Sequence, residues 1–279
     1  MTIAISVKVG EGLVYVADST SSFFDSSGGK PQLVQSFHHA RKLIRLGEYP
    51  IGILTFGLGH VGGRNLESLV AEFEHALVPA KDASAYTVEA IAGQLRDFVA
   101  LKYDAALPPP TVIAGQPASP DSRPGMGIVI GGYSSGEFFP DEFLVTFPGA
   151  TLDRTRPNSS GDFGVMWWGV TEPIIRLVLG FDPGVQQWFV DKGVDAALAK
   201  SLTDELKDRF KWSTVFDGMP LQDAIDYGAF LANVTIGHSR FVVGPPVCGG
   251  PVDVATISHR GFAWVKEKRP LMKGDSVFF

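Results

Sequence analysis

The sequence predicts an α+β fold in which two antiparallel sheets pack face to face and helices cover each outer side. Three observations lead there. Strands and helices come in blocks, whereas a doubly wound parallel sheet needs strict alternation of the two. The chain opens on a pair of alternating stretches joined by a turn, the pattern of an antiparallel hairpin, and it closes on two more strands. Between them lie helical stripes that are apolar on one face only and need one buried partner surface.

Each element follows in order. Ile3 to Val9 and Leu13 to Asp18 alternate and are joined by the turn-like Gly10-Glu11-Gly12. The stretch TSSFFDSSGGKP reads as a polar loop rich in serine and glycine. KLIRL and IGILTFG are two further strands, separated by Gly47 and Pro50. After GLGHVGG the period changes. Leu66, Leu69, Val70, Phe73 and Leu77 recur at helical spacing. Val88, Ile91, Leu95, Phe98 and Val99 repeat that spacing, with Thr87 as N-cap.

From Leu107 to Gly125 the chain has no period and much proline. This segment is read as a surface insertion, about 107–125, because the strands MGIVIGGY and DEFLVTF follow at once. FGVMWWG is a further strand running into Thr171-Glu172-Pro173, a helix start with an acid and a proline in its first turn. That helix ends near Gly180. Val185 to Trp212 is helical but less regular, with Gly193 interrupting, and forms a second insertion of about 181–220. Leu221 to Ile236 carries the last helical stripe, and PVDVATIS and GFAWVKE close the chain. The expectation is one domain over 1–279.

Composition narrows the function. The chain has 279 residues, 45% of them hydrophobic and 19% charged, which suits a large globular core. Its net charge of −6 argues against a nucleic-acid partner held through phosphates. A single cysteine, Cys248, excludes an intramolecular disulfide and fits a reducing compartment. No apolar run approaches the roughly 20 residues of a membrane helix. No basic leader precedes an apolar stretch, so a cytoplasmic location is expected.

The second residue is the candidate for chemistry. Removing Met1 would leave Thr2 first, with a hydroxyl and an α-amine on adjacent carbons. Such an amine titrates at about pH 8 and is partly neutral under ordinary conditions. It can take the hydroxyl proton, directly or through water, as the threonine attacks a carbonyl. A nucleophile of this kind needs a rigid strand behind it, and the strand pattern starts at Ile3.

The residues around Thr2 extend the pattern. TIAISVKVGEGLVYVADS resembles the start of the proteasome β-subunits and their bacterial relatives, members of the N-terminal nucleophile (Ntn) hydrolases. By that resemblance Thr2 is the nucleophile, Asp18 the acid after the first hairpin, and Lys42 in ARKLIRL the catalytic lysine, with Lys30 as competitor. Gly57, closing the strand GILTFG, would supply the oxyanion N–H, and Ser21, Ser22 and Gly59 would line the substrate strand. CGGPVDVATIS is similar to the family's segment before its closing strand, which places Cys248 and Gly249 as supporting residues beside Thr171. Val170 and Pro245 stand where the family carries polar support. The implied fold is the four-layer αββα Ntn sandwich. The implied activity is threonine-type peptide-bond hydrolysis on peptides or unfolded proteins, with no cofactor. The implied assembly is a homo-oligomeric ring of six or seven subunits, alone or stacked, with room for an unfoldase ATPase partner. A catalytically inactive ring protein of the same fold and a small-molecule amidohydrolase are the alternatives.

Two other motifs lead elsewhere. Gly57 to Gly62 matches G-x-G-x-x-G after a strand and before a helix, but no strand ending in an acid follows about 20 residues on, as a dinucleotide site requires. His38 and His39 lack a third ligand at metal-binding spacing, so no metal is expected.

Overall fold

A computed structural model describes residues 2–25, 32–77, 85–110, 121–158 and 160–267 of the protein. The opening alternation becomes β1 (Ile3–Val9) and β2 (Gly12–Ala17), which pair antiparallel with Ile5 opposite Val16. Both are buried along their whole length, unlike a sheet with one wet face. Gly12 makes the turn possible at φ +152°, where an added Cβ would lie 2.3 Å from the Ile257 carbonyl oxygen.

The stretch expected to be a polar loop instead forms β3 (Ser21–Asp25), which pairs with β4 (Gln32–Phe37). KLIRL and IGILTFG become β5 (Leu43–Arg45) and β6 (Ile51–Gly57). Two short bridging strands, β7 (His60–Val61) and β8 (Arg64–Asn65), occupy the glycine-rich stretch. Helix α1 (Leu66–Ala76) is capped by Asn65 and α2 (Val88–Ala106) by Thr87, whose hydroxyl accepts from the Ala90 N–H at 3.1 Å. Next come β9 (Met126–Gly132), β10 (Asp141–Phe147), an additional short strand β11 (Thr151–Arg154), and β12 (Gly164–Gly169). Helix α3 (Glu172–Leu179) ends at Gly180, which takes the left-handed conformation at φ 81°. The irregular helical stretch resolves into α4 (Val185–Asp191) and α5 (Ala196–Phe210), broken around Gly193. Then come α6 (Leu221–Phe241), β13 (Asp253–Ser258) and β14 (Gly261–Lys266).

Two five-stranded antiparallel sheets result, ordered β12-β1-β2-β13-β14 and β11-β10-β9-β6-β5. The alternation of side chains then assigns every face. Ile3, Ile5, Val7, Val14 and Val16 point to α3 and α6, packing with Ile174, Val178 and Leu231. Ala4, Leu13, Tyr15 and Ala17 point the other way and meet Leu43, Leu54 and Val129 of the second sheet. The outer face of that sheet, through Ile53, Ile128 and Ile130, packs on Phe73 of α1 and on Leu95 and Val99 of α2. Fully burying side chains of this size contributes about 1.5–3 kcal/mol each. The expected α+β class with antiparallel sheets and flanking helices is what the chain adopts.

Candidate active site

Alternation along β1 carries Thr2 toward the second sheet, on the face that holds Ala4 and Ser6. Thr2 is buried, and its carbonyl accepts the Val170 N–H at 2.7 Å. That approach needs glycine beside it: a Cβ at Gly169 would fall 1.9 Å from the Thr2 carbonyl oxygen, and its φ is +88°. The end of β12 therefore clamps the head of β1.

Asp18 follows β2 and has no exposed surface. Its Oδ1 accepts the Ile3 N–H at 2.9 Å and Lys42 Nζ at 2.6 Å. Its Oδ2 accepts the Thr20 N–H at 3.2 Å and the Gly249 N–H at 2.9 Å. A buried carboxylate is tolerable when it is saturated in this way. One anion thus ties together β1, the residue before β3, the loop before β13 and the lysine. Of the two candidate lysines, Lys42 is the one held by the acid; Lys30 lies outside the described residues.

Lys42 extends the β5–β6 pairing by one residue, because its carbonyl accepts the Thr55 N–H at 2.9 Å. The Leu58 N–H donates to the Gly125 carbonyl at 2.8 Å on the opposite, β9 side. Alternation between these two points directs the Gly57 N–H toward the β5 side, beyond that strand's first residue. Gly57 itself is at φ +81°, and a Cβ there would lie 2.4 Å from the Gly125 carbonyl oxygen. Only glycine fits.

Thr2, Lys42 and Gly57 line one cavity of about 690 Å³, together with Ser21, Ser22 and Gly59. Ser22 Oγ is 3.1 Å from Ser36 Oγ across the β3–β4 hairpin, and a Cβ on Gly59 would sit 3.5 Å from Ser21 Oγ. None of the three supporting candidates is among the residues that line the cavity. Gly249 acts through its backbone on Asp18, as above. Cys248 is buried, its thiol pushed up by that burial, and its Sγ donates to the Thr235 carbonyl of α6 at 3.8 Å. Thr171 is the N-cap residue of α3 and makes no side-chain capping bond.

Some neighbours were not foreseen from sequence. Gly169 acts through its backbone, as does Val170, whose position the resemblance gives to a polar supporting side chain; backbone roles leave no side-chain signature beyond a lone glycine. Thr20 and His38 are joined at 3.2 Å between Oγ1 and Nδ1, across a hairpin that the polar composition of the stretch concealed. Among the described residues, no group of three or more His, Cys, Asp or Glu could hold a metal ion. No described helix is long and apolar enough to cross a membrane.

No family model matches the sequence, and no curated protein matches it. Among solved structures the chain is similar to a mutant of Anbu (ancestral beta-subunit) from Hyphomicrobium sp. strain MC1, at 14% identity and TM-score 0.50, covering 96% of this chain and 87% of that one. Anbu from Yersinia bercovieri matches at 14% identity and TM-score 0.49, over 96% and 88%. At this identity the likeness speaks to fold alone, and the fold is that of the Anbu structure from Hyphomicrobium. The resemblance to proteasome β-subunits of the bacterial type is corrected accordingly. The matched structures are Anbu proteins, related to those β-subunits but distinct from them, and no family model assigns the chain to the Ntn hydrolases.

Proposed function

We propose that the protein is a threonine-type amidohydrolase that cleaves peptide bonds through an acyl-enzyme on Thr2, exposed by loss of Met1. On this reading 1–279 forms one domain, a four-layer αββα sandwich. The observation that carries it is the convergence of Thr2, Lys42 and Gly57 on one cavity, with Asp18 holding Lys42 at 2.6 Å.

The chemistry uses this chain's own groups. The α-amine of Thr2, through a water, takes the proton from Oγ1 as that oxygen attacks the substrate carbonyl carbon. The Lys42 side chain, positioned by Asp18, favours the developing alkoxide electrostatically. The Gly57 N–H donates to the carbonyl oxygen as it becomes negative, a contribution worth about 10²–10³ in rate at comparable sites. The C–N bond then breaks, and the leaving amine takes the proton, leaving an ester on Thr2. Water attacks that ester by the same route in reverse, releasing the acid and restoring the hydroxyl. Ser21, Ser22 and Gly59 line the wall along which a substrate strand would lie.

Thr2→Ala should abolish hydrolysis of short fluorogenic peptides while leaving the fold unchanged by circular dichroism. Turnover equal to the parent protein would remove Thr2 from the mechanism. We further propose a homo-oligomeric ring, supported by the exposed aromatic residues Trp188, Phe210, Trp212 and Phe241 on and beside α4, α5 and α6. Light scattering should give several times the chain mass of 30.0 kDa, and a single-chain mass would contradict it.

A further inference from the structure

We propose that the cavity selects a substrate that pairs a carboxylate with a neighbouring aromatic side chain, and that His38 and His60 make the selection. This rests on the reading of the cavity as the substrate cleft.

The charge pattern of the lining comes first. The chain as a whole is acidic, at −6, yet no Asp or Glu lies among the described residues that line the cavity. Three imidazoles do, those of His38, His39 and His60. The two permanent cations there already have partners: Lys42 has Asp18, and Arg41 has Glu267 at 2.7 Å and Glu67 at 3.2 Å. The imidazoles then stand, with the lining hydroxyls and the Asn65 amide, among the side chains that can donate to an incoming anion. An ammonium or guanidinium entering the same space meets no described lining carboxylate and loses hydration without a salt-bridge partner.

His38 is held for such a role. Its Nδ1 is 3.2 Å from Thr20 Oγ1, and the Thr20 N–H is fixed by Asp18. The Ala40 N–H donates to the Ser19 carbonyl at 2.9 Å, tying down the chain just after it. Gly250, at φ +74°, lets the His38 carbonyl come so close that a Cβ would lie 2.7 Å from it. The ring is therefore anchored to the same acid that holds Lys42, with Nε2 as its second polar atom.

The aromatic half comes from the β3–β4 hairpin. Strict alternation would send Phe23 and Phe24 to opposite faces, yet both line the cavity. The register shift between them marks a bulge, which re-aims neighbouring side chains. Phe23 meets Phe37 edge-on at 5.9 Å and tilts toward His60 at 5.7 Å. Phe23 and Phe37 remain 40% and 56% exposed, so an apolar occupant would remove their surface from water.

The test is a binding ratio measured on the Thr2→Ala protein. Two fluorescent peptides, Ala-Glu-Phe and Ala-Lys-Phe with blocked ends, are titrated by anisotropy. The glutamate peptide should bind about tenfold tighter. The ratio should fall below about threefold with His38→Ala and His60→Ala combined. It should also fall with Thr20→Val, which frees the His38 ring without altering it. Equal or inverted affinities, no binding of either peptide, or a ratio unmoved by the histidine substitutions would overturn the proposal. Because the Thr2→Ala protein has no nucleophile, the ratio is independent of turnover. Absence of hydrolysis by the parent protein would sink the peptidase reading and leave this ratio standing.

Discussion

On the proposed mechanism Lys42 serves both structure and chemistry. Its side chain is 8% exposed and is paired with a carboxylate that is fully buried. Removing one partner of such a pair costs about 3–5 kcal/mol, because the other charge is left buried. Lys42→Ala should therefore lower the unfolding free energy by about that amount in denaturant titrations and also abolish peptide hydrolysis. Lys42→Arg keeps the charge but places a broader, planar group against Asp18, so it should recover stability without recovering turnover. Full activity in Lys42→Arg would show that the ammonium itself is dispensable and that a cation of either shape suffices beside Asp18. Thr2 could be picked out by the chemistry of a hydroxyl beside a terminal amine, whereas Asp18, Lys42 and Gly57 are placed by the resemblance of the strands around them to the proteasome β-subunits. The Val170 N–H that holds the Thr2 carbonyl could not, since any residue but proline carries that group.

At the scale of the element, β1 reads IAISVKV, and its alternating Ser6 and Lys8 look like a solvent face. They face the second sheet instead, and both are buried. Ser6 Oγ donates to Glu142 Oε2 at 2.5 Å, Tyr15 OH donates to the same oxygen at 2.9 Å, and Arg156 Nη1 donates to Oε1 at 2.6 Å. Burial, with the Arg156 charge beside it, lowers the Lys8 pKa from 10.5 to about 8. Between about pH 8 and 10.5 the unfolded chain binds a proton at Lys8 that the folded chain does not, so stability from this group rises with pH. Tyr15, whose hydroxyl burial raises well above 10, acts in the opposite direction at higher pH. Comparison with Lys8→Met isolates the effect: the parent protein should gain on the variant in melting temperature from pH 8 to 10. A constant difference would contradict the buried placement of Lys8. The hairpin β3–β4 was hidden for a related reason. QLVQSF is largely exposed, so no apolar alternation announces it, and its place is set by pairing across to β3. Where a core sets the pattern, as along β12, side chains alternate between the two faces. Trp167 packs in the helix-side cluster, and Trp168 stacks on Phe56 between the sheets at 6.1 Å.

Across the whole molecule, two stacked sheets place strand ends from both into one cleft. The head of β1, the residue before β5 and the end of β6 meet there, although they span residues 2 to 57 and belong to different sheets. The order of blocks along the sequence foretold the layers, because each apolar stripe needed a partner. It did not foretell the strand order within each sheet, which depends on pairings such as β1 with β12, far apart in sequence. On the proposed mechanism this cleft arms an N-terminal threonine. That arming is tested most directly by intact and peptide-level mass spectrometry of the native protein after exposure to a threonine-acylating β-lactone. The account predicts a chain lacking Met1 and carrying one acyl group on Thr2. A chain that keeps Met1, or an adduct on any other residue, would contradict it.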